Sequence, residues 1–309
     1  MRAAFTKALS EIAEKDPRVF LLTGDLGYSV LEPFRDRFPD RFINAGVAEQ
    51  NMMGVATGLA DAGMLPFVYS IATFASMRPY EFLRDGPILH GLPVRLVGVG
   101  GGFDYGHAGP THYALEDVAI MRAPPGLTCI VPADHQQART ALQESWDLPG
   151  PVYYRFGKDD RTVVPGLEGR FALGRVQSFR EGADLALIAM GAVAAEAAEA
   201  ADRLSRQGLS SAGIVVSSVN PAPVEDLAER LSRVPLAITV EAHFIPGGLG
   251  SLVAEVIAEH RLPCRLVRCG VRGPLAGPYG DASYMQRAHG ISADGLVATA
   301  IRALEAVAG

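Results

Sequence analysis

Cysteine is scarce in this chain of 309 residues: Cys129, Cys264 and Cys269 are the whole supply. An odd number without metal-ligand spacing argues against a disulfide framework and a zinc site, and the expectation is buried reduced thiols in a cytoplasmic protein. No apolar run approaches the length needed to cross a bilayer, which excludes a membrane-spanning role. No Lys/Arg cluster relieves a formal net charge of −6, so a general nucleic-acid surface is excluded too. Short tandem repeats and low-complexity segments are missing. The opening MRAAFTKALSEIAEKD reads as an amphipathic helix with acidic residues and not as a signal or transit peptide.

What is present is a globular composition, 49% hydrophobic and 20% charged, with room for two ordinary domains. Buried-strand patterns such as VFLLT (Val19 to Thr23) and PVRLVGV (Pro93 to Val99) alternate with helical ones. Continuous apolar strands of this kind predict an α/β fold of two domains, each a mostly parallel sheet flanked by helices. The expected division is residues 1–158, a Gly/Pro-rich linker over 159–182, and residues 183–309.

The chain is organised around FINAGVAEQNMMGVATGLADAG, from Phe42 to Gly63. A short strand ends at Gly46 and a helix follows at once, dense in Gly and Ala, with Met52, Val55 and Leu59 as its expected apolar stripe. Glu49 is the one early carboxylate in this apolar setting. It is either an ordinary first-turn acid facing the positive helix end or an acid held in an apolar pocket for proton transfer.

The order AGVAEQNMMGVATGLA resembles the GVxEhxM segment of the pyrimidine-binding domain in transketolases and other thiamine-diphosphate enzymes. TGDLGYS (Thr23 to Ser29), the block from Gly109 to Ala138 beginning GPTHYALED, and TVEAHFIPGGLGSLVAEVI are similar to further transketolase segments, in the same order. The resemblance implies thiamine diphosphate as cofactor, with Glu49 protonating N1′ of its aminopyrimidine so that the 4′-amino group can act as a base toward the thiazolium C2. It implies Phe74 as the stacking ring, with Ile71 and Met77 as aliphatic neighbours and Asp25 near the thiazolium. Arg2, Ser29 and Arg155 match phosphate-binding positions, a task suited to the planar guanidinium fork. His112, in GPTH, matches a histidine lining the donor site.

Two departures stand out. The usual GEDGPTH reads GHAGPTH here, which puts His107 and Ala108 in place of an acidic pair and makes His107 a second catalytic candidate. Gly100 stands where transketolases commonly carry a histidine near the acceptor phosphate, so the substrate is expected to differ from the common pentose phosphates. The GDG…N motif that holds the diphosphate and Mg²⁺ in this family is absent. The resemblance therefore implies the small subunit of a split transketolase, without a metal site of its own. Its partner would be an N-terminal subunit carrying GDG…N and the divalent ion, in an α2β2 heterotetramer acting on a sugar or other small substrate. The beta subunit of a 2-oxo-acid dehydrogenase shares both domains and is the alternative enzyme reading. A noncatalytic α/β binding subunit is the alternative from another class.

Overall fold

The apolar runs become the strands of two sheets in the computed structural model, which describes residues 1–275 and 277–308. In chain order the strands are β1 (Val19–Thr23), β2 (Phe42–Asn44), β3 (Leu65–Ile71), β4 (Arg95–Val99), β5 (Thr128–Ile130), β6 (Val152–Phe156), β7 (Gln177–Arg180), β8 (Leu185–Met190), β9 (Ser211–Val215), β10 (Ser218–Asn220), β11 (Leu236–Phe244) and β12 (Arg265–Val271). The first sheet has the order β10-β5-β6-β4-β3-β1-β2 and the second β12-β11-β8-β9-β7. All pairs are parallel except β10 with β5 and β7 with β9. Strands β4, β6 and β8 are buried along their full length, as a sheet covered on both faces requires.

Two strands lie where the sequence reading has none. β7 falls in the stretch expected to be linker. β10 leaves the second half of the chain to pair with the edge of the first sheet, with Ser218 opposite Ile130 and Asn220 opposite Cys129. Asn220 Nδ2 adds a bond to the carbonyl of Leu127 at 2.7 Å. Such a three-residue edge strand has too little pattern to be read from sequence. The apolar pattern near Phe74 to Leu89 reads as one helix in sequence, but the structure breaks it into Ala72–Met77, Tyr80–Leu83 and a wide turn over Arg84–Ile88, because Pro79 and Pro87 cannot continue the backbone ladder.

The central helix spans Glu49–Asp61 and buries Met52, Met53, Ala56 and Ala60. Val55, expected in the apolar stripe, is instead exposed. The stripe is turned because alanines let the helix seat closely on Leu22 and Val68 of the sheet. Each large side chain so buried is worth roughly 1.5–3 kcal/mol. Cys129, Cys264 and Cys269 are all buried and unpaired with one another.

The two sheets are tied through one buried hub. Arg155, at the end of β6, donates Nε to Asp117 Oδ2 at 2.8 Å and Nη2 to the carbonyls of Ala114 and Ala242, the last belonging to β11. Tyr153 donates its hydroxyl to the same Asp117 oxygen at 2.7 Å. Close by, the amide of Ala119 donates to His243 Nε2, and the amide of Phe244 to the carbonyl of Leu115.

Candidate active site at the carboxyl ends of the first sheet

In an open parallel sheet, loops leaving neighbouring strands in opposite directions part to form a crevice at the strands' carboxyl ends. Here that point lies between β1 and β3, since β1 leads to β2 on one side and β3 leads to β4 on the other. Glu49 opens its helix at this place and is 3% exposed. A Cβ added at Gly24, just beyond β1, would lie 3.6 Å from Glu49 Oε1, and Ser70 of β3 donates to that oxygen at 3.3 Å. Arg78 Nη1 donates to Oε1 at 2.9 Å and to Oε2 at 2.8 Å. A buried carboxylate needs such partners, and the residues around it supply them.

Phe74 stands on the helix Ala72–Met77 that follows β3. The Arg78 guanidinium carbon sits 3.8 Å from its ring centroid, and the His112 ring meets it edge-on at 5.2 Å. His112 places Nδ1 2.9 Å from Thr111 Oγ1, and its ring lies 6.0 Å from Tyr105. Lys158 Nζ stands 4.0 Å from the Tyr105 centroid. A continuous wall thus runs from Glu49 and Arg78 through Phe74, His112 and Tyr105 to Lys158. Ile71 is half-buried at the start of the Phe74 helix, Met77 at its end is exposed, and Val47 beside Glu49 is 71% exposed.

Asp25 is exposed beyond β1 with a left-handed backbone, φ 57°. It accepts from Asn44 Nδ2 and from the Tyr28 hydroxyl, each at 3.0 Å, and these bonds, that from Asn44 first, hold its carboxyl below the usual range. Arg2 and Ser29 line one cleft, with Thr6, Lys7 and Ser10. The Arg2 Nε is buried with no hydrogen-bond partner among the described residues. Burial, then the nearby charge of Arg2, pushes the Lys158 ammonium down from its ordinary pKa.

Arg155 does not join that cleft. It is 4% exposed and bonded as the interdomain hub, so the structure gives the expected phosphate contact no open guanidinium. His107 is exposed on the turn Gly106–Ala108. Gly100 has φ 79°, and a Cβ there would fall 2.1 Å from the Tyr105 ring. Tyr105 therefore occupies the room that a side chain at position 100 would take. Sequence reading missed Arg78, Tyr105 and Lys158. The available signals were the i, i+4 spacing of Phe74 and Arg78 and the aromatic Tyr105 in the loop after the Gly100–Gly102 run.

The residues fit the pyrimidine end of thiamine diphosphate: a buried carboxylate beside an aromatic face that already accepts a flat, N–H-donating group. Among the described residues no three His, Cys, Asp or Glu side chains converge as a cation site. No helix of the described residues is long and apolar enough to cross a membrane.

Residues 1–162 match the transketolase pyrimidine binding domain and residues 174–296 the transketolase C-terminal domain. The chain is 35% identical to the 6-deoxy-6-sulfo-D-fructose transketolase subunit SqwH of Clostridium sp. (strain MSTE9), over 97% of this chain and 93% of that protein. It is 34% identical to a transketolase C-terminal section of Methanocaldococcus jannaschii, over 96% and 93% respectively. A solved structure described as a split gene transketolase, inactive beta4 tetramer, superposes with a TM-score of 0.87 at 34% identity, covering 98% of this chain and 97% of that one.

Proposed function

Because the chain belongs to the transketolase family, spanning its pyrimidine-binding and C-terminal domains, we propose that it is the small, cytoplasmic subunit of a split thiamine-diphosphate-dependent transketolase. It moves a two-carbon ketol unit from a ketose to an aldehyde acceptor once an N-terminal subunit supplies the diphosphate site and its divalent ion, in an α2β2 assembly. The observation that carries the reading is Glu49, buried at the switch point of the sheet with the Phe74 ring beside it. The exposed Val47 and Met77 at the rim support a covering subunit there.

Thiamine diphosphate, when bound, supplies the carbon nucleophile and electron sink that a carbon–carbon bond cleavage beside a carbonyl requires. The chain's own residues supply the rest. Glu49, 3% exposed, offers its carboxyl to the pyrimidine N1′ as the partner in proton transfer. Phe74 offers the stacking face. His112 spends Nδ1 on Thr111 and turns its other edge to a substrate oxygen. Arg2 and Ser29, with Lys158 nearby, hold an anionic tail of the substrate, beside the Tyr105 ring that lies over Gly100.

The test is Glu49→Gln in the reconstituted complex, which keeps the shape and a hydrogen bond but carries no transferable proton. Hydrogen–deuterium exchange at C2 of the bound cofactor should slow by more than about 100-fold. Unchanged exchange would reduce Glu49 to a helix-terminal acid.

A further inference from the structure

Arg78 takes both features of the cofactor subsite at once. Its Nη1 donates to the two Glu49 oxygens at 2.9 and 2.8 Å, while its guanidinium carbon lies 3.8 Å from the Phe74 centroid. A guanidinium and an aminopyrimidine protonated at N1′ are both flat and delocalised, and both present an N–H edge to a carboxylate and a π face to a ring. One carboxylate and one ring face cannot serve both. The two ion-pair partners also differ in freedom: the Glu49 side chain is 2% exposed and the Arg78 side chain 42%. Arg78 can swing into water without losing hydration, whereas Glu49 is held by the start of its helix and by Ser70.

We propose that Arg78 is an internal surrogate for the aminopyrimidine. It keeps the buried Glu49 carboxylate paired and the Phe74 face covered in the free chain, and it gives way when the cofactor enters. An unpaired buried carboxylate is costly, so the subsite needs an occupant before the cofactor arrives. The inference rests on the proposed role of Glu49, and the test separates the two.

The probe is the isolated aminopyrimidine, 4-amino-5-(hydroxymethyl)-2-methylpyrimidine, titrated into the purified full chain and followed by ligand-observed NMR. Arg78→Met should bind it at least tenfold more tightly than wild type, and Glu49→Ala should abolish binding in either background. Equal or weaker binding by Arg78→Met, with Glu49→Ala still abolishing it, overturns the surrogate role and leaves the Glu49 reading intact. Binding that ignores Glu49→Ala overturns the reading itself, and no binding by any variant overturns the surrogate role. Should Arg78→Met fail to fold by circular dichroism, Arg78→Lys decides. It keeps a charge for Glu49 but loses the flat fork, so it should bind the probe several-fold more tightly than wild type; equal or weaker binding overturns the proposal.

Discussion

Replacing Arg155 by methionine should cost stability before it costs substrate affinity. The side chain is 4% exposed, and Asp117 beside it is fully buried, with Oδ1 lacking any hydrogen-bond partner among the described residues. Methionine fills much of the space but leaves the Asp117 charge with only the Tyr153 hydroxyl. Breaking a buried ion pair from one side costs about 3–5 kcal/mol. With an unfolding entropy of about 2.1 cal/mol/K per residue, 4 kcal/mol lowers the midpoint by roughly 6 °C if the chain unfolds as a whole and roughly 12 °C if the first domain unfolds alone. Differential scanning calorimetry of wild type, Arg155→Met, Asp117→Asn and the double variant measures both the loss and the coupling. The double variant should regain more than about 1 kcal/mol relative to Arg155→Met, because a neutral amide no longer demands a countercharge. A midpoint within 2 °C of wild type, joined to a raised KM for phosphorylated substrate, would refute the brace and return Arg155 to the substrate site.

The remaining predictions concern charge and specificity. Burial raises the Glu241 carboxyl to about 7, against the bonds it accepts from the amides of Gly250 and Leu249 at 2.8 and 2.7 Å. A folded-state value above the unfolded 4.5 means the folded chain holds the proton more tightly. The associated stability, up to about 3 kcal/mol, is therefore fully present below pH 4.5 and is lost as pH rises through about 7. Glu241→Gln should flatten that part of a denaturation-midpoint profile, and an unaltered slope would show that Glu241 does not titrate there. Lys158→Met should raise KM about tenfold for substrates with a phosphate or sulfonate tail and spare uncharged ones, since one charge-assisted bond is worth about 1.5–3 kcal/mol. Equal losses for both classes in steady-state kinetics of the complex would place Lys158 outside the substrate site.

Much of the architecture was written along the chain. Strand runs such as VFLLT need no tertiary information, because an apolar run bounded by turns has few other stable uses, and β1 covers the same five residues that the pattern marks. Glu49, Phe74 and His112 were marked for another reason: each sits in a motif whose order alone carries the resemblance, and the structure brings the three onto one wall. The tertiary structure decided matters that depend on pairs of distant residues. Whether an arginine meets a phosphate or a buried aspartate is set by what folds against it, and Arg155 meets Asp117 across 38 positions of sequence. Arg78 covers Phe74 at ordinary i, i+4 helical spacing, but its meeting with Glu49 across 29 positions is announced by no local period. The loss of a side chain at Gly100 reads as a gap in one dimension. In three dimensions it is filled by Tyr105, because close packing places a neighbouring ring where a backbone leaves room.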